Sequence, residues 1–522
     1  MPRHVGARVI ASPDGLGLDH APHDDTRPPR VNAGLFPRMP PLRDAAPGRN
    51  LRPPTRRDAM SRTETVLRHL DEQEAQLRQR YFELLRIPSV SAQPAHAADC
   101  RRTAEFLAAE LSAIGFEARV RDTAGHPVVV AHHPGPADGA APHLLYYGHY
   151  DVQPAEPFEL WTSPPFEPTV MPGPHGDRVV ARGAVDDKGQ VMTWLAALRA
   201  WHEVGGGIPV KVTALIEGEE EVGSPSLDAF LKENAGELKV ADVVVVSDTN
   251  QWDFDTPAIS TRLRGMAYVQ IDLRAASRDL HSGMYGGSAR NPINLLTRIL
   301  GELQDEDGRV QIPGFYDGVE PVSNAQAAQW AELGFDEARF LGDVGLSVPA
   351  GERGLGALER LWARPTCDLN GIWGGYTGDG SKTVIAAEAH AKLSCRLVGS
   401  QDPAKVVAGI KEFVQSRLPK DCTAEVQVFG LAAPVVVPVE NRFVAAAKEI
   451  LTEEFGKAPA MIGCGGSIPV VESFKRILGL DSLLMGFGLD DDQVHSPNEK
   501  FEWRCLTRGA RAQARLLGRL AG

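Results

Sequence analysis

Cysteine is scarce in this chain, and its spacing supports no familiar site. Cys100, Cys367, Cys395, Cys422, Cys464 and Cys505 form neither a CxxC pair nor a dense framework within 522 residues. That argues against a disulfide scaffold and a thiolate metal site, and it fits reduced thiols in a cytoplasmic protein. Long apolar runs are also missing: no uninterrupted stretch approaches the roughly 18 residues of a membrane span. Positive charge is outweighed as well. A formal net charge of −13 offers no basic face for nucleic acid or an anionic membrane, so a small molecule or peptide fits better as the partner.

Residues 1 to about 60 lack any sustained apolar period and are studded with Pro and Arg, as in Thr26-Arg27-Pro28-Pro29-Arg30. They read as a disordered tail. The apolar stretches there are too short for a signal peptide, and Asp14, Asp19, Asp24 and Asp25 count against a transit peptide. Met60-Ser61-Arg62-Thr63-Glu64 looks like the start of the folded protein.

Beyond the tail, apolar residues at near-helical spacing predict a helix over 66–85. Short apolar runs at 128–130, 144–147, 210–216 and 243–246 read as buried strands, separated by helices at 190–204 and 224–233. Such alternation predicts a three-layer α/β/α domain with a largely parallel sheet. The texture changes after about Arg262. An alternating strand at 267–274, a helix from Asn291, a strand at 389–397, a helix at 403–418 and a strand at 423–429 suggest an inserted split βαβ unit. The stretch 308–381 is Gly-rich and irregular, suited to shaping a pocket. The division is therefore 1–60 tail, 61–262 first part of the α/β domain, 263–430 insert, 431–522 second part.

Five motifs each place an acidic residue or histidine just past a predicted strand. His149 and Asp151 share one side of a strand end, with His149 the metal ligand and Asp151 the carboxylate that orients it. Asp186 and Asp187 precede a helix, where capping explains one acid, but two adjacent carboxylates repel unless a cation is near. Asp186 is thus the candidate bridge between metals. Glu219, Glu220 and Glu221 could be a solvated acidic turn, yet hydrolysis needs one carboxylate on metal and another free to take a proton. Asp248 ends the most apolar strand, and His495 lies in a loop past another. The set His149, Asp186, Glu221, Asp248 and His495 offers only oxygen and nitrogen, which suits two divalent ions, zinc first, with manganese or cobalt also compatible. Three carboxylates against two such ions leave one net positive charge, which a hydroxide would neutralise.

Tyr147-Gly148-His149-Tyr150-Asp151-Val152-Gln153-Pro154, His281-Ser282-Gly283 and His495-Ser496-Pro497-Asn498-Glu499-Lys500, in this order, resemble the di-zinc peptidase superfamily of aminoacylase, acetylornithine deacetylase, succinyl-diaminopimelate desuccinylase and carboxypeptidase G. Its dipeptidase branch, the carnosinase and cytosolic nonspecific dipeptidase group, is the most similar. The resemblance covers about residues 65–520. It implies that Asp186 bridges the metals through a cis peptide to Asp187, that His149 and Asp248 complete one site, and that Glu221 and His495 complete the other. Glu220 would be the general base. The insert would be a ferredoxin-like dimerisation lid, with His281 reaching the partner's active site in a homodimer. Arg396 would grip the substrate carboxylate, and Thr383, Gly465, Gly466 and Ser467 would make further substrate contacts. The implied reaction is hydrolysis of dipeptides or short peptides with a free C-terminal carboxylate. An N-acyl-amino-acid deacylase would use the same metals, whereas a non-catalytic scaffold on this fold would have lost a ligand, and none is lost here.

Overall fold

The computed structural model describes residues 56–522 apart from 138, 466 and 467. Most of the expected tail, and the candidates Gly466 and Ser467, lie outside those residues. The first helix, Arg56–Glu72, begins before the expected start, and Gln73 at φ −102° and ψ 14° separates it from Glu74–Leu85. Both pieces turn apolar residues to one core, Val66, Leu67 and Leu70 from the first and Leu77, Tyr81, Leu84 and Leu85 from the second.

Among the described residues the larger sheet has nine strands. Its centre is parallel: Lys211–Glu217, His143–His149, Val243–Val246 and Ser482–Leu484 are consecutive neighbours. These strands are buried on both faces and correspondingly apolar along their length. Antiparallel partners extend both flanks, Val128–His133 with Glu117–Arg121 on one and Ala258–Leu263 on the other. Ala460–Cys464 then adds in parallel to Ala258–Leu263. The helices Lys188–Val204, Trp503–Leu520, Arg56–Glu72 and Arg442–Phe455 pack with one another, while Leu227–Glu233 packs with the turn Phe474–Leu478. Among the described residues no helix is long and apolar enough to cross a membrane.

A second sheet carries its own core. Four antiparallel strands run in the order Thr366–Gly374, Glu388–Leu397, Gly265–Arg274, Thr423–Ala432, with helices Pro292–Gly301 and Pro403–Gln415. This is the βαββαβ arrangement of a ferredoxin-like unit. Alternate residues Ala267, Val269, Ile271, Leu273 and Ala391, Leu393, Cys395, Leu397 face the helices. The stretch expected to be irregular contributes one of these strands and three short helices, Asn324–Glu332, Glu337–Gly342 and Ala357–Trp362.

Candidate metal centre

The carboxyl ends of the central parallel strands put the candidate ligands in one place, as open α/β sheets do. His149 is the last residue of its strand, and Asp248 follows Val243–Val246 by two residues. Asp186 comes from the loop before Lys188–Val204, and its peptide to Asp187 is cis. His149 Nε2 lies 3.1 Å from Asp186 Oδ1 and 3.8 Å from Asp248 Oδ2. On the other side, His495 Nε2 lies 3.0 Å from Asp186 Oδ2 and 3.2 Å from Glu221 Oε2. Two triads result, each with ligand atoms within 4.8 Å of one another, and Asp186 belongs to both with a different oxygen.

The electrostatics fit cations at these points. His149 Nδ1 lies 3.1 Å from the Asp151 carbonyl, which can only accept, so Nδ1 carries a proton and Nε2 is the ring nitrogen that faces Asp186 and Asp248. The carboxylates of Asp186, Asp248 and Glu221 converge on His149 and His495, and like charges this close call for cations among them, metal ions or protonated imidazoles. Burial, then the Asp186 charge, push Asp248 up to about 7, and burial raises the Glu220 carboxyl well above its usual range. Burial would raise Asp186 as well, but hydrogen bonds from His149 and His495 hold it low. A nitrogen and oxygen donor set of this kind suits divalent transition ions.

The acidic triplet separates into three roles in space. Glu219 turns away and accepts the N–H groups of His126 and Ser226, at 3.2 and 3.3 Å. Glu220 lines the cleft above the triads. Glu221 faces His495, with the Gln153 amide donating to its Oε2 at 2.8 Å. Asp151 differs in detail from the sequence reading: its backbone carbonyl is the nearer partner of His149, with the carboxylate Oδ1 at 3.5 Å. That carboxylate instead accepts the N–H groups of Glu220 and Glu221 at 3.2 and 3.1 Å, holding the turn that carries both. Asp187 makes no capping bond. Its Oδ2 accepts the His149 N–H at 3.1 Å.

One organising residue went unassigned in the sequence. Glu499 is buried, and its carboxylate accepts from Arg182 Nη1 at 2.8 Å and from the N–H groups of Gly183, Val185 and Asp186 at 2.9, 3.0 and 3.2 Å. It therefore fixes the loop that presents Asp186. Its place four residues after His495 was the available signal.

The expected substrate contacts are less concentrated. Arg396 is half-buried on the face of the second sheet opposite its helices. Arg264 lies beside it: burial first, and the Arg396 charge second, hold the Arg264 guanidinium below its usual value. Arg264 Nε in turn donates to the Gly465 carbonyl at 3.0 Å, and Gly465 lines the cleft. His281 and Thr383 do not line it. They are exposed neighbours on the two-stranded ribbon of Leu280–His281 and Val384–Ile385, where Ser282 N donates to the Thr383 carbonyl at 3.1 Å.

The chain is similar to known proteins over most of its length. The description of peptidase family M20/M25/M40 matches residues 145–519. The Cys-Gly metallodipeptidase DUG1 of Candida albicans is 33% identical over 442 residues, 81% of this chain and 90% of its own length. The Beta-Ala-His dipeptidase of Homo sapiens is 30% identical over 361 residues, 68% of this chain and 70% of its own. The crystal structure of an M20 family metallo-carboxypeptidase, Sso-CP2 from Sulfolobus solfataricus, superposes with a TM-score of 0.75 at 31% identity, covering 85% of this chain and 99% of that one. A metallopeptidase fold, a match over most of the chain and a shared-carboxylate donor set converge on one conclusion: this chain belongs to peptidase family M20/M25/M40.

Proposed function

We propose that the chain is a cytoplasmic dipeptidase that uses two divalent ions, zinc first among them, to hydrolyse the amide bond next to a free carboxylate. The observation that carries the reading is Asp186, whose two oxygens face the histidines of two separate triads. Its relatives include a Cys-Gly metallodipeptidase and a Beta-Ala-His dipeptidase, and its six cysteines are all free. Asp186 would bridge the ions, with His149 and Asp248 completing one site and Glu221 and His495 the other.

When bound, the ions polarise the scissile carbonyl and lower the pKa of the attacking water. Glu220 takes the proton from that water and delivers it to the leaving nitrogen. Asp151 keeps the Glu220 turn in register with His149. Arg396 holds the substrate carboxylate, a planar fork meeting a planar anion, with Thr383 and the 465–467 loop beside it. The 263–430 segment acts as the dimerisation lid of a homodimer. The exposed ribbon carrying His281 and Thr383 then serves the partner's cleft, where His281 stabilises the oxyanion.

A panel of free and C-terminally amidated dipeptides, assayed with and without a chelator, tests the reading. Free dipeptides should be cleaved, amidated ones poorly, and chelation should abolish both activities. Equal cleavage of the two sets would remove carboxylate recognition, and activity that survives full metal removal would remove the mechanism.

A further inference from the structure

Glu217 is a buried carboxylate that belongs to neither triad. It ends the strand Lys211–Glu217 and pairs in register with His149 on the parallel strand beside it. A carboxylate taken out of water has to be met by donors. Two converge on the same oxygen: the Tyr147 hydroxyl donates to Glu217 Oε1 at 2.7 Å and the Ser224 hydroxyl at 3.0 Å. Tyr147 lies two residues before His149 on its strand. Ser224 lies just past the turn that carries Glu220 and Glu221. A single side chain therefore joins the strand of one candidate ligand to the closing end of the acidic turn.

The Asp151 carboxylate holds the opening of the turn, through the N–H groups of Glu220 and Glu221. The turn closes with Ser224 N–H donating to the Glu219 carbonyl at 2.7 Å, after two successive left-handed residues, Gly223 at φ 85° and Ser224 at φ 50°. Glycine enters that region freely, whereas serine meets a steric penalty there. What serine supplies in return is the hydroxyl bonded to Glu217. Behind the turn, a Cβ on Gly218 would lie 2.2 Å from the Tyr150 hydroxyl, so the chain lies directly against that side chain as it leaves Glu217.

We propose that Glu217 is a positioning residue for the general base. Through Ser224 it fixes the closing end of the turn, and through Tyr147 it ties that end to the His149 strand, so that Glu220 is held where it can take a proton. The proposal rests on the dipeptidase reading, in which Glu220 moves that proton. A general base works only within hydrogen-bond reach of the group it deprotonates, and a displacement of about 1 Å costs about 100-fold in rate. Asp151 alone restrains one side of the turn. The tie through Ser224 restrains the other.

Ser224→Gly is the test variant, because glycine suits the local backbone and only the hydroxyl is lost. In the full chain at saturating metal, with loading checked by elemental analysis, kcat for Ala-Gly should fall about 10- to 100-fold at little change in KM. In a Glu220→Gln background the same substitution should change the residual kcat by less than about 2-fold, since the placement of the base cannot matter once the base is gone. A merely structural defect would lower kcat by the same factor in both backgrounds, which would overturn the proposal. In a second arm Glu217→Ala should reproduce the loss, and Glu217→Gln, whose amide oxygen can still accept from both hydroxyls, should recover most of it. A Gln variant as slow as the Ala variant would overturn the acceptor role, and the Ser224 comparison stands even if Glu217→Ala fails to fold. An active wild type with an equally active Ser224→Gly variant would defeat the positioning role alone. A wild type that cleaves no dipeptide would defeat the functional reading, and the positioning role with it.

Discussion

Glu499→Gln should uncouple the Asp186 loop from the fold. Glu499 and Arg182 are both 1% exposed, so the substitution leaves a buried guanidinium without its counter-charge, at about 3–5 kcal/mol. Gln also presents an amide NH2 to one pair of donors that the carboxylate now accepts, either Val185 and Asp186 N–H or Arg182 and Gly183. We expect a loss of about 4 kcal/mol in urea unfolding of the metal-free protein. Metal affinity, read by competition with a chromophoric chelator, should fall about 10- to 100-fold, as when a residue supporting a ligand is lost. Replacing Arg182 and Glu499 together by Met removes both buried charges and should recover much of the stability. It should not recover metal affinity, because the Val185 and Asp186 N–H groups still lack their acceptor. If Glu499→Gln stays within about 1 kcal/mol of wild type and binds metal normally, the positioning role is refuted.

Three further outcomes follow from the same geometry. Glu220→Gln should retain both ions and lose about 10²- to 10⁴-fold in kcat, whereas Glu221→Gln should lose metal by elemental analysis; the reverse pattern would shift the base by one residue. Mixing inactive His281→Ala and Glu220→Gln chains should restore activity, because one site of a mixed dimer is intact; no recovery despite demonstrated subunit exchange would keep His281 within its own chain. Arg396→Lys should lower kcat/KM for a free dipeptide by about 10-fold or more at unchanged metal content, with a smaller loss on the amidated form; equal losses on both would argue against a carboxylate contact.

The parts of the fold readable from sequence were those where burial writes directly onto residue type. The run Val243–Val246 is buried on both faces and is apolar throughout, while Gly265–Arg274 has one buried face and alternates. The strand Thr366–Gly374 was not legible. It is a sheet edge with a register shift between Leu369 and Gly371, and most of its residues are at least partly exposed, so neither pattern is imposed on it. The break at Gln73 likewise leaves no mark in a sequence whose apolar spacing continues across it. At the site, the side chains that face one another follow strand-end motifs and could be read in advance. What holds them could not: the Asp151 carboxylate bonds to two backbone N–H groups, and Glu499 reaches a loop more than 300 residues earlier. Contacts between a side chain and distant backbone carry no periodicity in sequence.

The central claim, one carboxylate shared by two ions, is tested most directly by metal stoichiometry in wild type and Asp186→Ala after reconstitution and removal of excess ion. Two equivalents per chain are expected in the wild type and close to none in the variant, with both sites lost together. A variant that keeps one full equivalent, or both, would contradict it.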